Sequence, residues 1–317
     1  MNDMNEMDRR RSLKTLSGMA TAGIFSSESL VSAASISKPI HLGVISDLHG
    51  GLAVDARSRL DSFLKEMGSR ECHALVQMGD FAYPNEKHQE YAQRFNEAHE
   101  ETIHVIGNHE FDYGLTREDC FEAWGIEASY YRRDVEGLRV LVLDGNDKGS
   151  LSHRGGYPSF IGKTQQQWLE RELSQADRPV LVLSHQPLAG RSAIDNAGEL
   201  QSLLGTHREK VVACLNGHSH LDAHSVVDGI HYLHINSASY YWVGGKTRMA
   251  YYTQPLYTTV CIDPDSATVS VEASQSEWRD KSPKELGYFE SDNRPDELNV
   301  TPQIRQRKLS TDAVLFD

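Results

Sequence analysis

The chain has 317 residues, 45 of them acidic against 32 basic, giving a formal net charge of −13 with histidine neutral. That length accommodates one large α/β domain with appendages. The negative balance disfavours nucleic-acid backbones, whose binding needs a cationic face, while fifteen histidines raise the expectation of a metal site.

Residues 1–34 differ in composition from everything after them. Asp8-Arg9-Arg10-Arg11-Ser12-Leu13-Lys14 precedes a weakly apolar stretch (16–25) and then the small residues Ser32-Ala33-Ala34. A charged start, a moderate apolar middle and a small-x-small site form an export signal rather than a globular element. The paired arginines followed by Leu13 and Lys14 resemble the twin-arginine signal, with Ser12 where that signal usually has phenylalanine. This implies passage of a folded, metal-loaded chain through the twin-arginine export machinery to a periplasmic or secreted destination. No run approaches the roughly 18 apolar residues of a membrane span.

From residue 39 short apolar strands alternate with amphipathic helices. The periodicity predicts strands at 41–45, 74–78 and 102–106, with helices over 55–68 and 86–100 between them, which means βαβ units and a largely parallel core. A hairpin at 129–133 and 138–143, a helix through 165–173, a strand at 180–183, a helix near 197–205 and a strand at 211–215 follow. After 220 the pattern becomes β-rich: 223–227 and 231–235 flank Asp228-Gly229, and 257–262 and 268–273 flank Asp263-Pro264-Asp265. That predicts a second sheet packed on the first. Residues 35–276 read as the catalytic domain and 277–317, charged and without period, as a C-terminal extension. Cys72, Cys120, Cys214 and Cys261 form no C-x-x-C pair, and two lie in apolar runs, so buried thiols are expected ahead of disulfides.

The chemistry gathers at the ends of the apolar runs. Asp47-Leu48-His49 follows the first strand, Gly79-Asp80 the second, and Gly107-Asn108-His109-Glu110 the third. His185-Gln186-Pro187 and Gly217-His218-Ser219-His220 follow two later strands. Polar clusters at the C-terminal ends of strands share one rim of a sheet. Aspartate, asparagine and histidine together suit divalent ions in a mixed nitrogen and oxygen field.

In that order and spacing the clusters resemble the calcineurin-like metallophosphoesterase signature D-x-H, G-D, G-N-H-E/D, H and G-H-x-H, over about residues 40–235. The resemblance implies an α/β/β/α sandwich of two mixed sheets flanked by helices, with the metal site at the C-terminal ends of strands. It further implies two divalent ions (Mn, Fe or Zn), one held by Asp47, His49, Asp80 and His220 and the other by Asp80, Asn108, His185 and His218. Asp80 is shared, since a carboxylate offers two oxygens to two cations. His109 is implied to face the substrate as general acid, opposite a hydroxide nucleophile bridging the metals, with Asn108 assisting on the phosphate.

Candidate substrate contacts are Glu110, Arg154 and Tyr83. Glu110 alternatively orients His109 or occupies the first turn of a helix. Tyr83 also fits the G-D-x-x-Y motif of purple acid phosphatases, although those enzymes lack the histidine at position 49. The aromatic run Tyr240-Tyr241-Trp242 is either core between the sheets or a platform for substrate. The expected function is hydrolysis of a small phosphomonoester or phosphodiester, nucleotides included; the alternatives are a purple-acid-phosphatase-like monoesterase, a nuclease, and a metal-binding protein without turnover.

Overall fold

The computed structural model describes residues 38–153, 155–245, 248–288 and 300–313, so the expected export signal lies outside the described residues. In chain order β1 (Ile40–Ile45), α1 (Ala56–Met67), β2 (Ala74–Gln77), α2 (Gln89–Glu97), β3 (Thr102–His104) and α3 (Arg117–Trp124) come first. Then follow β4 (Tyr131–Val135), β5 (Leu138–Leu143), α4 (Lys163–Ser174), β6 (Val180–Ser184), α5 (Ala197–Gly205), β7 (Val211–Asn216), β8 (Ala223–Val227) and β9 (Ile230–His234). The last part holds β10 (Tyr240–Gly244), β11 (Arg248–Tyr251), β12 (Thr258–Asp263), β13 (Thr268–Val271), β14 (Ser274–Gln275), β15 (Gln303–Ile304) and β16 (Arg307–Ser310).

These strands make two six-stranded mixed sheets, ordered β16-β13-β12-β1-β2-β3 and β4-β5-β6-β7-β9-β8. The division differs from the expectation that the second sheet begins after residue 220. It falls before β4, and each sheet recruits late strands: β12 pairs antiparallel with β1, while β9 pairs parallel with β7. Period-2 patterning could not show this, because strands covered on both faces read as continuous apolar runs.

Alternation within those runs sorts the layers. Val140, Val142, Leu181 and Leu183 pack against Leu42, Val44, Val76 and Ile103 between the sheets. Their neighbours Leu141, Leu143, Val180 and Val182 face outward onto Leu169, Leu173, Leu200 and Leu204 of α4 and α5. On the other outer face Leu60, Phe63 and Phe95 of α1 and α2 cover Ile45 and Leu75. The result is the α/β/β/α sandwich.

Several elements lay outside the sequence-based reading, among them a short 3₁₀ helix at His109–Gly114. Helix α3 carries a capping box in which Thr116 and Asp119 satisfy each other's backbone amides, and ends at Gly125 with φ 71°. The β10–β11 hairpin joins the aromatic run to residues 248–251. Of the expected extension, β16 adds an edge strand beside β13, and Ile304 is buried in the central core. All four cysteines are free, Cys120 and Cys214 buried.

Candidate metal centre

The strands β1, β2, β6 and β7 and the segment after β3 end on the same rim, and the backbone immediately past them is strained. Asp47, His49, Asp80, His218 and His220 all have positive φ, between 49° and 66°. Left-handed backbone is uncommon for residues with a Cβ and concentrates at functional sites, where surrounding structure over-determines it. Gly107 makes room for the ligand side chains, since a Cβ there would lie 2.2 Å from Asp80 Oδ1. Gly79 is needed twice over, for its φ of 95° and because a Cβ would meet the His185 ring at 2.5 Å.

The structure gathers six of the seven expected ligands into two groups, and Asn108 borders the same cleft. Asp47, His49 and His220 form one group able to hold an ion, and Asp80, His185 and His218 a second. Asp80 Oδ2 lies between the groups, 3.2 Å from His185 Nε2 and 4.0 Å from His49 Nε2. His220 Nε2 is 3.1 Å from both Asp47 Oδ1 and His49 Nε2.

The tautomers decide what such a cluster fits. His185 Nδ1 donates to the Met78 carbonyl (2.8 Å) and His220 Nδ1 to the Tyr240 carbonyl (2.7 Å), leaving Nε2 of each to face the carboxylates. His185 Nε2 and Asn108 Oδ1 are buried with no hydrogen-bond partner among the described residues. With each Nδ1 committed as a donor, an Nε2 facing carboxylate oxygens at this range calls for positive charge there, either a proton or a cation. Burial holds His49 and His218 neutral, with pKa values near about 3 and about 4. Burial opposes ionisation of Asp47, but His220 outweighs it and lowers the carboxyl to about 2. For His185 the loss of solvation is overcome by Asp80, and its pKa rises to about 10. A proton there answers the charge of Asp80 without a well-aligned hydrogen bond; the donor set fits divalent cations.

Residues unremarked in the sequence hold this rim in place. Ser46 Oγ donates to Asp47, Ser237 Oγ to the Asp47 carbonyl (2.9 Å), and Ser239 Oγ to the Leu48 carbonyl (2.7 Å). His234 ties two ligand loops together, donating from Nε2 to Ala189 O (2.9 Å) and accepting at Nδ1 from Ser219 Oγ (2.9 Å). Asn146 Nδ2 donates to the Gly107 carbonyl (3.2 Å). A lone serine or asparagine carries no signal of this kind.

Glu110 sits in the first turn of a short 3₁₀ helix, His109–Gly114, one of the alternatives its sequence position offered. It is 1% exposed and accepts backbone N–H bonds from Gly107 (2.7 Å), Asp80 (3.0 Å) and Phe81 (2.7 Å), clamping two ligand loops. Burial and the charge of Asp80 push its pKa up to about 8, and the amides hold it back. Tyr83 lies on the cleft wall, its ring edge-on to Tyr113 at 5.3 Å; burial, then Asp112, raise its pKa, so it stands as a neutral phenol. Arg154 lies outside the described residues.

His109 sits on the rim with its ring 5.1 Å from that of His49. Its Nδ1 is 2.8 Å from Asp112 Oδ2, and Tyr157 OH donates to Asp112 Oδ1 at 2.5 Å. Burial lowers its pKa, but Asp80 and then Asp112 outweigh this and bring it to about 9. Beside this group opens a cleft of 1030 Å³ that also reaches Asp80, Asn108, His218 and His220. The aromatic run divides: Tyr240 and Tyr241 are buried, and Tyr240 stacks on His49 at 4.9 Å, whereas Trp242 is exposed in the cleft.

Residues 40–222 match the calcineurin-like phosphoesterase family. A dimetal phosphatase from Danio rerio has a similar structure, with a TM-score of 0.55 at 14% identity, over 75% of this chain and 96% of its own. GAP50, the anchor in the inner membrane complex of Plasmodium, also gives a TM-score of 0.55, at 11% identity over 86% of this chain and 89% of its own. At these identities the likeness is one of fold. A comparison with curated proteins found no match.

Proposed function

Because this chain belongs to the calcineurin-like phosphoesterase family, we propose that it hydrolyses small phosphate esters, monoesters or diesters, with two divalent cations held at the rim. The observation that supports this most is the convergence of His185 Nε2 and His220 Nε2 on Asp80 and Asp47 at 3.1–3.2 Å, with both Nδ1 atoms already committed to carbonyls. Asp47, His49, Asp80 and His220 would hold one cation, and Asp80, Asn108, His185 and His218 the other. Two cations held there would supply charge neutralisation for non-bridging phosphate oxygens and a lowering of the pKa of water from 15.7 to about 7, enough for a nucleophile at neutral pH. Nitrogen and oxygen donors leave Mn, Fe and Zn all admissible.

The chain's own groups supply the rest. Asn108 borders the cleft and offers an amide donor to the phosphate. His109, its Nδ1–H held by Asp112, keeps Nε2 for the cleft and delivers a proton to the leaving oxygen as the phosphorus–oxygen bond breaks. The His109 pKa of about 9 owes much to Asp80, an influence that cations held on Asp80 would partly cancel.

A second reading is a metal-binding protein without turnover, since the same fold occurs in a protein described as an anchor and a fold does not fix a function. The His109–Asp112 pair speaks against it, since a metal-holding scaffold has no use for an oriented imidazole beside the ligands. The charge of −13 speaks against a nuclease, and among the described residues no helix is long and apolar enough to cross a membrane. For residues 1–34 we propose export by the twin-arginine machinery, to the periplasm or beyond. Hydrolysis of mono-aryl and bis-aryl phosphates by apoprotein supplied with Mn²⁺, Fe²⁺ or Zn²⁺ tests the enzymatic reading: metal-dependent turnover is expected, and metal binding without turnover overturns it.

A further inference from the structure

Among the described residues six large hydrophobic side chains are exposed, and three of them, Tyr113, Tyr157 and Trp242, line the cleft beside the metal rim. Tyr113 is 87% exposed and sits at φ 60°, a backbone conformation that is a genuine outlier for a bulky residue. It thus bears a backbone cost while presenting a ring to water, and such strain concentrates where a side chain must be held for a ligand. Trp242, 54% exposed, is fixed by its indole N–H donating to the Gly245 carbonyl (2.9 Å), so its polar edge is satisfied and its ring is held at the cleft wall. Seven tyrosine and tryptophan side chains line this cleft, against a single arginine, Arg191, among its described residues.

We infer that the cleft is a subsite for a planar aromatic group carried by the phosphoester, an aryl ring or a nucleobase, stacking on Trp242 and Tyr113 while the phosphate occupies the metal rim. One arginine is too little for a polyphosphate chain. Rings bearing hydroxyl and N–H edges suit a flat, partly polar partner, because every aromatic or base offers a π-face whatever its edge chemistry. This inference rests on the phosphoesterase reading for the phosphate and goes beyond it for the remainder of the substrate.

Calorimetric titration of the metal-loaded protein with non-hydrolysable phenylphosphonate against methylphosphonate tests it without requiring turnover, and the methylenephosphonate analogue of AMP against that of ribose 5-phosphate (the AMP pair) extends it to a nucleobase. Aromatic ligands should bind about tenfold or more tightly than their partners. Trp242→Ala and Tyr113→Ala should each erase most of that ratio, with Trp242→Phe retaining it; a structural defect would weaken both members of a pair together. A preference in the phenyl pair identifies an aryl subsite next to the phosphate, and a preference in the AMP pair alone a nucleobase subsite a sugar's length away; either supports the inference. Equal binding within both pairs, or a preference that survives both alanine variants, overturns it even if the protein hydrolyses esters. An aromatic preference in a protein that turns over no ester leaves the inference standing and defeats the hydrolase reading instead.

Discussion

Asp112 Oδ2 lies 2.8 Å from His109 Nδ1, three residues along the same turn, so the carboxylate fixes which nitrogen of the imidazole is left for the cleft. This pairing fixes the ring's orientation, as the proposed role of proton donor requires. His109 also lies close enough to His49 and Asp80 to count among the groups able to hold an ion, so its role has to be separated by experiment.

His109→Ala should leave metal content intact and cost about 10²–10⁴-fold in turnover of esters with high-pKa alcohol leaving groups. Nitrophenyl esters should lose much less, because nitrophenolate departs without a proton. Asp112→Asn, which keeps the ring but exchanges its acceptor for an amide, should lose part of the same factor with the same leaving-group dependence. Equal losses across both ester classes, or loss of metal from His109→Ala, would make His109 a ligand or phosphate clamp.

Glu110→Gln replaces an acceptor of three backbone amides by a side chain whose NH₂ faces donors. A stability loss of about 1–3 kcal/mol is expected, together with weaker metal retention, because the clamp spans the Asp80 and Asn108 loops. Unchanged urea midpoints would show the clamp to be dispensable.

His104 links stability to pH. It is buried, stacked on Trp124 at 5.4 Å, with Nε2 toward Asn96 Oδ1 (2.7 Å), and burial lowers its pKa to about 3. The unfolded chain therefore binds a proton below about pH 6.5 that the folded chain refuses until about pH 3. Its contribution is complete above pH 6.5 and falls as pH drops through that window, by up to ~1.4 kcal/mol per unit. Urea denaturation of the metal-loaded protein between pH 7 and 4.5 should show this slope, and His104→Gln should flatten it. An identical slope in the variant would assign the acid lability elsewhere.

Residues 1–34, fused to a folded reporter, should direct export that depends on Arg9 and Arg10. Export surviving lysine at both positions would contradict a twin-arginine signal.

The candidate ligands that the structure gathers were legible because each follows an apolar run and belongs to a motif of fixed order. The strands and helices that carry them were legible through periodicity, and the Asp228-Gly229 hairpin through turn chemistry, both residues having positive φ. Partition of strands between sheets was not, since Leu141 and Val142 read alike although they face different layers. Nor were the contacts that orient the site. Tyr157 meets Asp112 across 45 residues and Ser237 meets Asp47 across 190, pairings that only the folded chain creates. For Glu110 the place in a helix's first turn was legible, but the clamp on three backbone amides was not, since Asp80 and Phe81 reach it only in the folded chain.

The shared carboxylate of Asp80 is the central claim, and metal stoichiometry tests it most directly. The wild-type protein, loaded with Mn²⁺ or Zn²⁺ and freed of excess, should hold two equivalents. Asp80→Asn, checked as folded by circular dichroism, should lose the paired site and with it metal-dependent hydrolysis. Two equivalents retained in Asp80→Asn, or fewer than two in the wild type under saturating metal, would contradict a centre built around Asp80.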